Sequence, residues 1–457
     1  MTHPWPADRP VPAVRAVEAA PIESDGEERF LLTDPAGFAP GHAIVPAFTL
    51  FIMSLLDGER TLAQVQEAIR ENSGQSAPLA KLQDLVRQLD EALLLDTERF
   101  AEARERVEQG FRNAPARPAA LAGASYPAEP AALRPFLDGF FEEPHGPGRL
   151  ERPATARDVR AVLAPHLDFP RGRLGYAHAY HALAQGGPPE LVIVLAVAHA
   201  SPPSPYVATA KDFETPLGPV PTDRDALALL QRHVEYDLAT DEFTHRSEHS
   251  AEFQAVWLRH CFPPEVAPRL RILPLLCSSF QRFVEHQASP MADDRVAGVV
   301  AGLRAVLAAA GPSARVVGGV DLSHMGPRYG DAIPMGPDQR AGVERFDRTA
   351  LEPALAGDGD AWFEAVASTG DRSKVCGLSA IYTFCRLLEG VAGRLLHYGQ
   401  VDDPTSPSIV SYCAAAYGAA ATQNGVDRAA ETSLDLPRIP RARRGTPTTR
   451  RVILTDG

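Results

Sequence analysis

The chain has 457 residues, of which 45% are hydrophobic and 23% charged, and its formal net charge is −13. This length predicts two or three domains, and the composition is typical of a soluble globular protein. The acidic balance argues against a general nucleic-acid binder, because phosphate binding requires a basic surface.

Neither a membrane span nor a secretion signal is predicted. The longest apolar stretch, residues 43–56, is interrupted by Pro46 and is too short to cross a bilayer. The N-terminus lacks the basic start and apolar middle of a signal peptide. The cysteines have no close pairing spacing, which favours a reducing compartment. We therefore expect a cytoplasmic protein without nucleic-acid or membrane partners.

The N-terminal quarter divides into two predicted regions. Residues 1–28 are rich in proline and lack periodicity, which predicts a flexible leader. Residues 29–99 begin with the strand-like Phe30–Leu32 and continue with three helical segments, of which the second starts after Thr61 and the third at Pro78. One strand followed by three helices predicts a small winged-helix-like domain.

This predicted domain resembles the PqqD-like peptide-recognition domains that occur beside radical-SAM and peptide-modifying enzymes. The resemblance depends on the segment LLDGERTLAQV from Leu55 and on the leucine-rich third helix. It implies a docking domain for a peptide, and a generic helical docking domain is the alternative. The charged residues 100–119 are predicted to link this domain to the next.

Residues 120–420 alternate apolar runs with helical patterns, which predicts an α/β domain whose central, mostly parallel sheet is flanked by helices. Three of the apolar runs end on a histidine, namely His166, His199 and His324. Ligands of open α/β sheets bind beyond the carboxyl ends of the strands, where side chains from separate strands can converge. A shared metal or acid/base site is therefore one interpretation, and three unrelated strand-end histidines are the other.

Five motifs of this domain occur in the same order in one known family. They are APHLDFPRG from Ala164, AVAHASPPSPYVATAKDFETPLGPV from Ala196, SEHSAEFQAVWL from Ser247, VDLSHMG from Val320 and VCGLSA from Val375. With these motifs the chain resembles the Memo-like proteins, including protein B of the AmmeMemoRadiSam system. The resemblance implies an extradiol-dioxygenase-like fold, similar to that of the class III enzymes.

The resemblance also implies a metal site. His166, His199 and Cys376 match the two histidine ligands and the cysteine ligand of the family. Two imidazoles and one thiolate suit Fe(II), Cu or Zn. We expect one divalent metal ion, Fe(II) or Cu, with Zn as the alternative.

Four further residues are candidate catalytic groups. His324 matches the acid/base histidine of the related dioxygenases, and Asp321 would orient that ring, add a ligand or only cap a turn. His249 matches a family motif and is expected, with Glu248, to contact the substrate or support a ligand. Glu248 is also a candidate general base.

Two departures from the family weaken any inference about the substrate. Leu167 and Asp168 follow the first metal histidine where better-known members carry glycine and tyrosine, and Met325 replaces a tryptophan. The spacing of His245 and His249 also allows a separate metal pair, although no third ligand accompanies them.

The functional expectation is a metal-dependent, dioxygenase-like oxidoreductase acting on a small molecule or peptide. The family implies a radical-SAM protein and a companion protein of the same system as partners. A non-catalytic partner-binding module with a vestigial metal pocket and a zinc hydrolase are the alternatives. The basic residues 421–457 are predicted to form a disordered tail.

Overall fold

The computed structural model describes residues 5–24, 27–34, 36–39, 41–150, 156–418 and 453–454. The chain divides into two compact units, one formed by residues 1–110 with 423–457 and the other by residues 111–422. Each unit has its own hydrophobic core.

The N-terminal unit contains an antiparallel sheet and helices. The sheet has the order β1–β2–β3, and the short strand Ile453–Leu454 pairs in parallel with β1. The elements are β1 (Glu18–Ser24), β2 (Glu27–Thr33), β3 (Ala43–Pro46), α1 (Ala47–Ser54), α2 (Leu62–Ser73), α3 (Leu79–Glu91) and α4 (Glu98–Asn113), which continues past residue 110.

Local sequence explains where α2 begins and ends. The Thr61 hydroxyl accepts the backbone N–H of Gln64, and the Gln64 side chain accepts the backbone N–H of Thr61. This reciprocal pair satisfies N–H groups that have no partner within the helix. The helix ends at Gly74, whose φ of 67° lies in the left-handed region that favours glycine.

The structure corrects two expectations about the regions around this unit, the flexible leader and the linker. The predicted leader, residues 1–28, contains β1, and Val11 and Val17 are buried because they pack into the core of the unit. The predicted linker, residues 100–119, is mostly the helix α4. The predicted basic tail, residues 421–457, lies outside the described residues except for Ile453–Leu454.

The second unit is an α/β domain built on an eight-stranded mixed sheet. The unit has ten strands among its described residues, eight in this sheet and two in a separate pair. They are β4 (Ala116–Arg117), β5 (Val159–Ala164), β6 (Leu191–Val197), β7 (Tyr206–Ala208), β8 (Asp212–Phe213), β9 (Arg271–Cys277), β10 (Ala314–Gly319), β11 (Asp321–Met325), β12 (Gly393–Asp402) and β13 (Ile409–Gly418). Its helices are α5 (Pro130–Glu142), α6 (Phe169–Gln185), α7 (Arg224–Gln231), α8 (His249–Cys261), α9 (Gln281–His286), α10 (Asp294–Ala310), α11 (Pro337–Leu355), α12 (Gly359–Ala367) and α13 (Leu378–Leu387).

The predicted α/β class is confirmed. The strand order is β11–β13–β5–β10–β6–β9–β7, with β12 paired to β13. The central strands β5, β10, β6 and β9 are parallel, whereas β7, β11, β12 and β13 pair in antiparallel fashion. Strands β4 and β8 form a separate two-stranded pair.

Helices cover both faces of the sheet, so the central strands are buried on both sides. Along β5, Leu163 packs into one core cluster and Val162 into the other, because successive side chains of a strand point to opposite faces. This double burial explains the continuous apolar runs of the sequence.

One stretch, Asp294–Ser313, is long and apolar enough to cross a membrane by length and composition. It contains α10, whose Val296, Val299 and Leu303 are buried in a core cluster of the sheet domain. Among the residues that the structure describes, it is the only stretch that meets this test.

Candidate metal centre

The strand order brings two of the predicted ligands to one edge of the sheet. His166 follows β5 and His199 follows β6, and β10 lies between these two parallel strands. The imidazole centroids are 4.9 Å apart. Cys376, just before α13, completes a group whose potential ligand atoms all lie within 4.8 Å of one another.

The ring of His166 is fixed by a backbone carbonyl. Its Nδ1 lies 3.0 Å from the Gly319 carbonyl oxygen, so Nδ1 carries the proton and Nε2 is free to bind a metal ion. A Cβ atom at position 319 would lie 2.7 Å from Nε2 of Gln254, which explains why this position is glycine. The Cys376 Sγ lies 3.3 Å from Nε2 of His166.

Glu248 holds the second imidazole from the start of α8. Its carboxylate lies 3.0 Å from Nδ1 of His199, and it accepts the backbone N–H and the hydroxyl of Ser250. Burial opposes the charge of this carboxylate, but hydrogen bonding from His199 and Ser250 prevails and holds the pKa of Glu248 below its usual range. Nε2 of His199 is thereby left as the metal-binding atom.

Cys376 is half-buried. Burial, together with the nearby carboxylate of Asp321, raises the pKa of this thiol well above its ordinary value. A thiolate in this position therefore requires a neighbouring cation, which a metal ion would provide. The preceding loop is held in an uncommon conformation, since Asp371 and Lys374 have φ angles of 48° and 50°.

His249 belongs to a second, overlapping group of potential ligands with His199 and Glu248. Its ring stacks on that of His199 with the centroids 4.5 Å apart. Burial lowers the pKa of His249 to about 4, so the ring is neutral near neutral pH. His249 thus lies beside the first group, with its ring centroid 5.3 Å from that of His166.

Asp321 lies beside His166. One of its carboxylate oxygens accepts the backbone N–H of His166 at 3.1 Å, and the other lies 3.4 Å from Nε2 of that residue. Burial raises the pKa of Asp321 to about 7.

His324 lies outside both groups of potential ligands that the described residues form. Its Nδ1 lies 3.0 Å from the Leu322 carbonyl oxygen, and its ring meets the edge of Tyr329 with centroids 5.1 Å apart. Burial lowers the pKa of His324 to about 4, and the charge of His199 acts in the same direction.

Other sequence candidates have structural partners. His245 is buried with its Nε2 3.1 Å from the Val207 carbonyl oxygen, and it belongs to neither group of potential ligands. Asp168 caps α6 by accepting the backbone N–H of Arg171.

Sequence reasoning missed two parts of this site. Gly319 supplies the carbonyl that orients His166, and Ser250 supplies donors to Glu248. The sequence signals for these two groups were the glycine pair Gly318–Gly319 before VDLSH and Ser250, the second serine of SEHS.

Comparison with known proteins identifies the family of this chain. The model of the Memo-like protein family matches residues 117–416. A MEMO1 family protein of Thermus thermophilus is 31% identical over 353 residues, covering 77% of this chain and 97% of its own length. A MEMO1 family protein of Aquifex aeolicus is 25% identical over 397 residues, covering 84% and 95%. Both matches cover more residues than lie between 117 and 457, so both extend into the region before residue 117.

Proposed function

Because the chain belongs to the Memo-like protein family, we propose that His166, His199 and Cys376 bind one divalent metal ion in a metal-dependent oxidoreductase. The observation that carries the proposal is the convergence of two imidazoles and one thiol within 4.8 Å. Both Nδ1 atoms are engaged by other protein groups, as is usual for metal-binding histidines.

The donor set fits a transition metal. Two nitrogens and one sulfur leave room for further ligands and suit Fe(II), Cu or Zn. A bound Fe(II) or Cu ion would supply the electron-transfer chemistry of a dioxygenase-like reaction.

The protein groups around the ligands have separable tasks. Glu248 orients His199, and its four donors favour this task over that of a general base. His249 and His324 are neutral imidazoles near neutral pH, so each can accept a proton from a bound substrate. For His324 the accepting atom is Nε2, since Nδ1 faces the Leu322 carbonyl.

We further propose a small-molecule or peptide substrate, handled with a radical-SAM protein and a companion protein. The likeness of the chain to protein B of the AmmeMemoRadiSam system supports this proposal. The PqqD-like pattern around Leu55 supports a peptide-docking task for the N-terminal unit.

Metal content of the full chain, purified without oxygen and measured by mass spectrometry, tests the proposal. We expect about one iron or copper per chain, lost in Cys376→Ala and retained in Cys385→Ala, whose buried thiol packs in α13 away from the group. Zinc at one per chain would favour hydrolysis. No binding after reconstitution with Fe(II), Cu and Zn would contradict the metal site and favour a partner-binding module.

A further inference from the structure

Strand β11, which carries both Asp321 and His324, contains an irregularity. Asp321 lies opposite Tyr412 of β13, and His324 lies opposite Val410. Three steps along β11 therefore correspond to two steps along β13, so β11 carries one extra residue, a β-bulge.

The bulge changes which side of the strand His324 faces. Residues three apart on a regular strand point to opposite faces, whereas one inserted residue restores them to the same face. Asp321 contacts a predicted ligand, since one of its carboxylate oxygens lies 3.4 Å from Nε2 of His166. The bulge therefore places His324 on the face of β11 whose Asp321 side chain reaches the metal group.

A buried carboxylate holds the bulged residue. Asp347, on α11, is 2% exposed and accepts the hydroxyls of Ser323 and Ser411, each at 2.5 Å, and that of Tyr398 at 2.8 Å. The Ser411 hydroxyl in turn accepts the backbone N–H of Ser323 at 2.9 Å. The backbone N–H at the bulge is thus satisfied by a side chain that Asp347 orients.

We propose that Asp347 is a positioning residue, which fixes the bulge of β11 through Ser323 and Ser411 and thereby aims His324 at the metal group. The importance of this His324 orientation for catalysis rests on the proposed function. The orientation itself is a property of the protein chain and is measurable without metal.

A carboxylate suits this task because an ionised carboxylate only accepts hydrogen bonds and has room for three donors. Asparagine has the same shape and one carbonyl oxygen, so it retains part of the network. Alanine removes all of it. We therefore expect Asp347→Ala to disturb the position of His324 more than Asp347→Asn does.

The test is NMR of the full-length, metal-free protein with labelled histidine rings, in which the His324 signal is assigned by its loss in His324→Gln. In Ser411→Ala and Asp347→Ala we expect this signal to move and its titration midpoint to rise from about 4 by at least about one pH unit, because the ring becomes hydrated. Asp347→Asn is expected to give a smaller change. Thr383→Ala is the matched control, since it removes a buried hydroxyl that bonds Tyr206 on another element.

An unchanged His324 signal and midpoint in folded Ser411→Ala would overturn the proposal, even if Asp347→Ala does not fold. Zn²⁺ binding by the same variants separates this result from the proposed function. We expect their Zn²⁺ affinity to stay within about threefold of the parent value, because the three ligands and their partners are untouched. If the parent protein itself does not bind Zn²⁺, that result counts against the metal site, and the NMR result remains interpretable.

Discussion

Glu248 holds His199 at two points, with the carboxylate 3.0 Å from the imidazole Nδ1 and 3.0 Å from the backbone nitrogen of the same residue. One side chain thus fixes both the ring and the end of the strand that carries it. Because Glu248 is also the N-cap of α8, the start of this helix and a candidate metal ligand are coupled.

Replacing Glu248 with glutamine is expected to weaken metal binding. The neutral amide lacks the negative charge that attracts the ring N–H of His199. Loss of such an orienting partner typically costs about 10- to 100-fold in metal affinity. The measurement is Zn²⁺ competition with a chelating dye. Glu242→Gln is the control, because Glu242 bonds Thr209 and does not touch His199. Equal affinity of Glu248→Gln and the parent would contradict the orienting role.

Replacing Arg117 with methionine is expected to destabilise the sheet domain by about 3–5 kcal/mol, since it leaves the buried carboxylate of Glu252 without its cation. Arg117 also donates to the carbonyl oxygens of His245 and Glu248, so it holds the loop before α8.

Urea unfolding of the full chain, followed by fluorescence, measures this loss. Trp257 and Trp362 are both buried in the sheet domain and report on its transition. The double variant Arg117→Met with Glu252→Met is expected to recover part of the stability, because no unpaired charge remains. A double variant less stable than the single one would argue against the ion pair as the cause.

The ionisation of Asp347 is expected to make the stability of the sheet domain depend on pH. Burial raises the pKa of this carboxyl to about 6, above its unfolded value near 4, so the native state binds the proton more tightly than the unfolded state. The contribution is fully present below about pH 4 and is lost as pH rises through about 6.

Asp347→Asn has no such proton, and its stability relative to the parent is expected to increase by about 2–3 kcal/mol between pH 4 and pH 7. Urea titrations at a series of pH values measure the difference. A constant difference across this range would show that Asp347 does not titrate there.

Thr61→Ala is expected to loosen the start of α2 in the N-terminal unit. The change removes the hydroxyl that accepts the Gln64 N–H, and loss of such a cap costs about 1 kcal/mol. Hydrogen exchange of the first amides of α2 is expected to accelerate about fivefold, whereas Thr61→Ser should retain the parent rate. Identical exchange in the alanine and serine variants would disprove the cap.

Local patterns explain how much of the fold was predictable. The apolar runs that end at His166 and His199 are buried strands, because burial on both faces requires continuous hydrophobic residues. The capping of α2 follows in the same way from Thr61 and Gln64. The segment of β1 escaped prediction because Pro21 and the acidic residues around it conceal its alternation.

The sequence by itself determined the α/β class and the positions of His166 and His199 after buried strands, because hydrophobic periodicity and strand length are properties of neighbouring residues. The prediction that a single strand ends at His324 was wrong, since that run forms β10 and β11 and His324 lies within β11. Tertiary structure alone decided that the Cys376 Sγ lies 3.3 Å from Nε2 of His166, although the two residues are 210 positions apart in the chain. It also decided that β11 is bulged and that Asp347 holds the bulge. Strand register and hydrogen-bond partners between distant residues depend on how the whole sheet packs, and no local pattern encodes them.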